Sequence, residues 1–198
     1  MKQVLVAYMK KFTDLGEDAI NAMVKDVVVE AFCKGTVLIA QGEIPKACYF
    51  VLEGIVRKYA VDEEGIETTY DFYTDQQSIV IFYESDIERE SPYSIACVDD
   101  CVLVVGDLET QATAFQNHEA LIPMTRLMIE ENVDQLQETY ATFLRKSPEE
   151  KVQLLIDERP LLLERVPQYQ LASYLGIAPE SFSRIKRRLE RSHIKAVE

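Results

Sequence analysis

Turn residues, glycines 35, 42, 54 and 65 foremost, break residues 27–106 into short pieces, and that punctuation constrains the fold more than any other feature. The pieces are Val27–Phe32, Thr36–Ala40, Ala47–Glu53, Ile55–Val61, Glu67–Tyr73, Ser78–Phe82, Tyr93–Val98 and Cys101–Gly106. Each is rich in β-branched and aromatic residues and too short for an ordinary helix, so each reads as a strand. A glycine between two such segments takes the positive φ that a tight turn requires. A run of short strands over about eighty residues predicts an antiparallel double-sheet jelly-roll barrel. With helices before and after it, the fold class expected is α+β.

The flanking patterns are helical. Val4, Leu5, Tyr8, Met9 and Phe12 recur at helical spacing, and residues 107–120 read as a polar helix. A longer helix is predicted over 121–143, with Ile122, Ile129, Val133, Leu136, Tyr140 and Phe143 on one stripe. A one-sided stripe of that length needs a partner. Its own barrel is one candidate, and a second copy of the chain, giving a homodimer seam that Met124 and Met128 would widen, is the other. Ser147-Pro148-Glu149-Glu150 has the residues of a capped helix start. The expected domains are therefore 1–120 (barrel with flanking helices), 121–146 (dimerisation helix and hinge) and 147–198 (a small helical domain).

Within that last domain, Leu171, Ala172, Leu175, Ile177, Phe182, Ile185 and Leu189 form one apolar face across a turn. Gly176 suits the end of the first helix and Pro179 the start of the second. The second helix presents Glu180, Ser181, Ser183, Arg184, Lys186, Arg187 and Arg188 away from that face. Two helices joined by a tight turn, the second one basic, have the geometry that enters a DNA major groove. Glu180 and Arg184 are predicted to reach base edges. Ser181, Ser183, Arg187 and Arg188 are assigned to phosphates, and Gln168 and Tyr169 to backbone oxygens. Charge agrees with a local contact. Residues 166–198 hold six Lys or Arg against three Glu, whereas residues 1–165 hold 15 basic against 31 acidic residues. Double-stranded DNA would meet a basic tip on an acidic body.

Other classes find little support. No segment approaches the length of a membrane span, and the N-terminus lacks a cleavage pattern, so a cytoplasmic protein is expected. Cysteines 33, 48, 97 and 101 show no metal-type pairing and read as reduced and mostly buried. The only histidines, 118 and 193, lie outside the predicted barrel, which argues against a metal enzyme or a haem site. No metal and no cofactor is predicted.

The segment Leu171-Ala-Ser-Tyr-Leu-Gly-Ile-Ala-Pro-Glu-Ser-Phe-Ser-Arg184 resembles the recognition motif of the Crp/Fnr family of bacterial transcription regulators, in the style of Bacteroidetes-type members. The family's Glu and Arg fall on Glu180 and Arg184. Lys34-Gly-Thr-Val-Leu-Ile-Ala-Gln-Gly-Glu43 and Tyr49-Phe-Val-Leu-Glu-Gly54 are similar to its early barrel strands. The resemblance implies a cyclic-nucleotide-binding-like domain, a dimer helix and a helix-turn-helix. It also implies double-stranded DNA, a second copy and RNA polymerase as partners. Members that bind cyclic AMP or GMP carry a Gly-Glu followed by an Arg. The matching region, Thr74–Phe82 and Glu84–Ser94, lacks the Gly-Glu, and its one cation, Arg89, stands among Glu84, Asp86, Glu88 and Glu90. A cyclic phosphate is not expected there. An unknown small-molecule effector in the barrel, or none, stays open. The alternative function is a signalling or scaffold module that binds protein or a small ligand instead of DNA.

Overall fold

A computed structural model describes residues 2–25, 27–79, 90–107 and 121–197, with no side-chain description at 121, 132, 135, 136, 139, 142 and 192–197. Of the expected polar helix over 107–120, residue 107 instead ends a strand, and residues 108–120, with His118, lie outside the described residues, as does Arg89. The chain forms two compact units, residues 1–58 with 72–135, and residues 59–71 with 136–198.

The first unit opens with helices α1 (Lys2–Met9) and α2 (Glu17–Met23). Its strands are β1 (Val28–Phe32), β2 (Val37–Ile39), β3 (Ala47–Glu53), β4 (Val56–Val61), β5 (Glu67–Tyr73), β6 (Ser78–Ile79), β7 (Ser94–Cys97) and β8 (Cys101–Asp107). The tips of β4 and β5 belong to the second unit. One four-stranded sheet has the order β1-β8-β3-β6 and the other β2-β7-β4-β5.

This corrects the expected jelly-roll barrel: the described residues form two separate antiparallel sheets, and neither closes on itself among them. Closure needs ladder hydrogen bonds around a full circuit. Here β1 and β6 end one sheet and β2 and β5 end the other. Short strands and glycine turns report antiparallel pairing, but they do not report whether edge strands from two sheets pair.

The period-two rule explains how one strand builds two cores. Between the sheets lie Ile39, Tyr49, Val51, Val56, Ile79, Ile95, Cys97, Cys101 and Leu103, drawn from both sheets. The alternate residues Phe50, Leu52 and Val104 face the other way, into a cluster with Leu5, Val6, Tyr8, Met9, Ile20 and Met124. The β3–β8 register puts Val51 opposite Leu103 and Phe50 opposite Val104, so both strands obey one alternation. A strand covered on both faces reads as continuously apolar, which accounts for Cys48-Tyr-Phe-Val-Leu52.

Gly54 carries the chain from β3 to β4 at φ 107°. A Cβ there would come within 2.7 Å of both the Asp100 carbonyl oxygen and Cys101 Sγ. Positive φ and lack of room both select glycine at this crossing.

Helix α3 (Leu121–Arg145) has 25 residues and is roughly 37 Å long at the α-helical rise. Met124, expected to widen a seam between copies, is buried in the cluster with α1, and Met128 packs on the same cluster. By contrast Ile122, Leu127, Val133, Tyr140 and Leu144 are exposed. Cys97 and Cys101 are buried, Cys48 is half-buried and Cys33 is exposed, and all are free thiols. Hydrogen bonding to Cys101, then burial, pushes the Cys97 thiol far up, so it stays protonated.

Candidate nucleic-acid interface

The second unit is built from α4 (Pro148–Glu158), α5 (Pro160–Arg165), α6 (Gln168–Leu175) and α7 (Pro179–Val197). Helix α4 starts where the sequence signals a start. Ser147 Oγ accepts from the Glu150 N–H, and the Glu150 carboxylate accepts from the Ser147 N–H at 2.7 Å. This reciprocal pair satisfies two donors that a helix end otherwise leaves open. The bonds from Ser147, side chain first and then backbone, hold the Glu150 carboxyl below its ordinary range.

Helices α6 and α7 cross through a small, fully enclosed core. Leu171, Ala172, Leu175 and Phe182 are essentially inaccessible, beside Val152, Leu155 and Leu162 of the preceding helices. Ala172 carries only a methyl group, which lets two helix backbones approach. Burying Phe182 alone contributes on the order of 1.5–3 kcal/mol.

Gly176 stops α6 in the left-handed region at φ 66° and ψ 35°. Its N–H donates to the Ser173 carbonyl at 3.1 Å, and the Ile177 N–H donates to the Ala172 carbonyl at 3.0 Å. Those two bonds are the Schellman pattern, which a residue with a side chain adopts with difficulty. Pro179 then supplies the first residue of α7, where its missing N–H costs nothing.

The core residues Phe182 and Ile185 fix which face of α7 turns outward. Glu180, Arg184 and Arg187, spaced four and three apart, share one stripe and are all exposed. Ser181 and Ser183 flank it and are half-buried. Among the described residues, no carboxylate forms a salt bridge with Arg184 or Arg187. Glu180 sits in the first turn, where the helix dipole favours a carboxylate. Gln168 and Tyr169 are exposed at the start of α6, and the Gln170 amide donates to Tyr169 Oη at 3.1 Å.

The remaining predicted residues are placed differently. Arg188, assigned to phosphate, has its guanidinium 2.5 Å from Glu149 on α4. Lys186 lies 3.7 Å from Glu190 on its own helix. Of the predicted seam, Ile122, Val133 and Tyr140 are exposed, Ile129 is half-buried, and the side chain of Leu136 lies outside the described set. Phe143 packs edge-on against Tyr174 of α6 at 5.6 Å and carries the Lys151 ammonium 5.3 Å from its ring centre. It is engaged within its own chain.

Sequence reasoning missed two features. The first is Arg57 on β4, a cation that is 4% exposed inside the first unit. The second is a set of contacts at the tip of the β4–β5 hairpin. The Thr69 N–H donates to Ser173 Oγ at 2.9 Å, and the Ser173 hydroxyl donates to the Glu67 carbonyl at 3.2 Å. Arg159 lies 3.5 Å from Asp71 and donates to Tyr174 Oη at 3.2 Å. Burial, and after it the Asp71 charge, pushes the Tyr174 phenol up. The hairpin residues and their helical partners stand roughly ninety to a hundred residues apart in the chain, beyond the reach of any local pattern.

Residues 29–118 match the family model for the cyclic nucleotide-binding domain. No curated protein sequence matches the chain. Solved structures do. FixK2 from Bradyrhizobium japonicum is 15% identical with a TM-score of 0.71, over 85% of this chain and 86% of that one. The c-di-GMP-responsive global regulator CLP of Xanthomonas campestris is 14% identical with a TM-score of 0.69, over 90% and 93%. A protein described as a transcriptional regulator of the Crp/Fnr family, from Eubacterium rectale, is 15% identical with a TM-score of 0.68, over 94% and 88%. No described helix is long and apolar enough to cross a membrane, and no group of three or more metal-ligating residues occurs among the described residues. The chain thus joins a cyclic nucleotide-binding-like domain to a helix-turn-helix unit, in the fold of Crp/Fnr-type regulators.

Proposed function

We propose that this chain is a dimeric, sequence-specific DNA-binding transcription regulator that works without cyclic AMP. The observation that carries the proposal is the exposed stripe Glu180, Arg184, Arg187 on a helix presented past the Gly176 turn. In this reading Arg184 pairs with guanine and Glu180 accepts from cytosine in a major groove. Gln168, Tyr169, Ser181, Ser183, Arg187 and Arg188 hold or steer toward the phosphates. The exposed apolar residues Ile122, Val133 and Tyr140 support pairing of two copies along α3. Twofold pairing sets two recognition helices one turn of DNA apart on a partly palindromic site. Independence of cyclic AMP rests on the sequence over 74–94, which lacks the Gly-Glu of the phosphate cassette.

Gel shifts with genomic fragments at several salt concentrations test the proposal. A sequence-preferring complex with a steep salt slope is expected from the wild type, unchanged by added cyclic AMP. Arg184→Ala should lose the preference, with discrimination at its base position falling by about 1–3 kcal/mol. A wild-type protein that binds no duplex at any salt supports a signalling or scaffold module instead.

A further inference from the structure

We infer that Ser173 is a positioning residue for DNA reading, acting as a clip between the first helix of the helix-turn-helix and the free edge of β5. The inference rests on the function proposed above and adds a determinant of specificity that touches no DNA.

The geometry starts from the sheet. β5 ends the order β2-β7-β4-β5, so among the described residues no further strand follows it in that sheet. The Asp62 N–H donates to the Ile66 carbonyl across the hairpin turn, which turns residue 66 toward β4. By the strand's period, the backbone groups of Glu67, Thr69 and Asp71 then face the free edge. One hydroxyl can both donate and accept. Ser173 does both, accepting from the Thr69 N–H and donating to the Glu67 carbonyl, as a neighbouring strand would. Two residues further along, Asp71 receives Arg159. Thr69 is only 4% exposed, so its N–H would pay a desolvation cost without the serine.

The clip also lies on a path to the recognition helix. Ser173 adjoins Ala172, the fully buried residue where α6 crosses α7. Whatever fixes α6 therefore fixes the stance of Glu180 and Arg184. The clip covers neither of these, since both remain exposed. The hairpin tip, residues 59–71, forms one compact unit with the C-terminal helices, while its roots at 56–58 and 72–73 lie in the first unit. A twofold reader needs both recognition helices held at one spacing, and freedom in their mounting lowers specific affinity. Non-specific affinity, which comes from phosphate charge, does not need that spacing.

The test compares wild type, Ser173→Ala, Ser173→Thr and Asp71→Asn on a selected operator and on a random duplex, with amide exchange at Thr69 measured alongside. Ser173→Ala should expose the Thr69 amide to faster exchange and weaken operator binding about tenfold. Random-duplex binding and the salt slope should stay unchanged. Ser173→Thr keeps the hydroxyl and should restore operator affinity. Asp71→Asn, outside the helix-turn-helix, should reproduce the loss in weaker form, which covers the case in which Ser173→Ala fails to fold. Operator affinity that is unchanged or raised in both Ser173→Ala and Asp71→Asn overturns the positioning role while the proposed function stands. A wild type that binds neither duplex overturns the proposed function, and the role of Ser173 in DNA reading falls with it.

Discussion

Arg188 on α7 is paired with Glu149 on α4, guanidinium to carboxylate at 2.5 Å, with both side chains about half exposed. An exposed pair of this kind adds at most about 1 kcal/mol to stability. Its larger consequence is electrostatic. In the proposed DNA complex, a phosphate reaching Arg188 would compete with the Glu149 carboxylate for that cation.

Replacing Glu149 with Gln should therefore strengthen binding to every duplex, without changing which sequence is preferred. The salt slope should steepen by about 0.9, the amount expected for one more neutralised phosphate. Arg188→Ala should act in the opposite direction, again equally across sequences. Titrations of operator and random duplex at several salt concentrations check both. A change in base preference for either variant would show that Arg188 reads bases.

Gly54→Ala should be among the most damaging single substitutions in the first unit. The added Cβ meets the Asp100 carbonyl and the Cys101 sulfur at 2.7 Å, and the φ of 107° is itself unfavourable for alanine. Strain and overpacking together should cost about 3 kcal/mol or more. Urea unfolding followed by tyrosine fluorescence measures the loss. Gly35→Ala, with positive φ but nothing near its Cβ, should cost only about 1–2 kcal/mol.

The capping box at Ser147 predicts a pH dependence. The folded-state pKa of Glu150 is depressed by its bonds to Ser147. The associated stabilisation is therefore present above the unfolded carboxylate pKa and is lost as pH falls through the depressed value. At neutral pH, Ser147→Ala should cost about 1 kcal/mol. Amide exchange in the first turn of α4 should be faster in Ser147→Ala than in wild type at pH 7, and that difference should shrink on acidification. A difference that grows toward low pH would contradict the assignment.

The local features were legible because local chemistry decides them. Ser147 and Glu150 announce the start of α4, Gly176 the left-handed stop of α6, and Pro179 the start of α7, each through a local backbone requirement. The strands were legible for a similar reason, since β-branched runs between glycines have few other solutions. What escaped depends on pairing over distance. Whether β5 closes onto a neighbouring strand is decided by its free edge, and that edge is met by Ser173 from a helix that begins a hundred residues later. The pairing of Arg188 with Glu149 was not legible either, because the sequence does not show that α4 brings that carboxylate to α7. Met124 looked like part of a seam between copies because helical spacing marks an apolar face without saying what covers it, and here α1 and α2 do.

That last distinction carries the final prediction. On α3, Met124 is 5% exposed and packed on its own chain, whereas Tyr140 is 64% and Leu144 69% exposed. Large apolar side chains exposed in series along one helix are what a partner helix would cover. If two copies pair there, Val133→Glu together with Tyr140→Glu places buried, unpaired charges at the seam and should shift the protein to monomer at micromolar concentration, raising the dissociation constant at least about a hundredfold. Specific DNA binding should fall with it, because one recognition helix reads only half a site. Met124→Glu should behave differently. It disrupts the core shared with α1 and should lower the unfolding midpoint of the first unit rather than act on the dimer selectively. Sedimentation equilibrium and thermal unfolding on the same three proteins separate the outcomes, and a wild type that sediments as a monomer at all concentrations would remove the seam from α3.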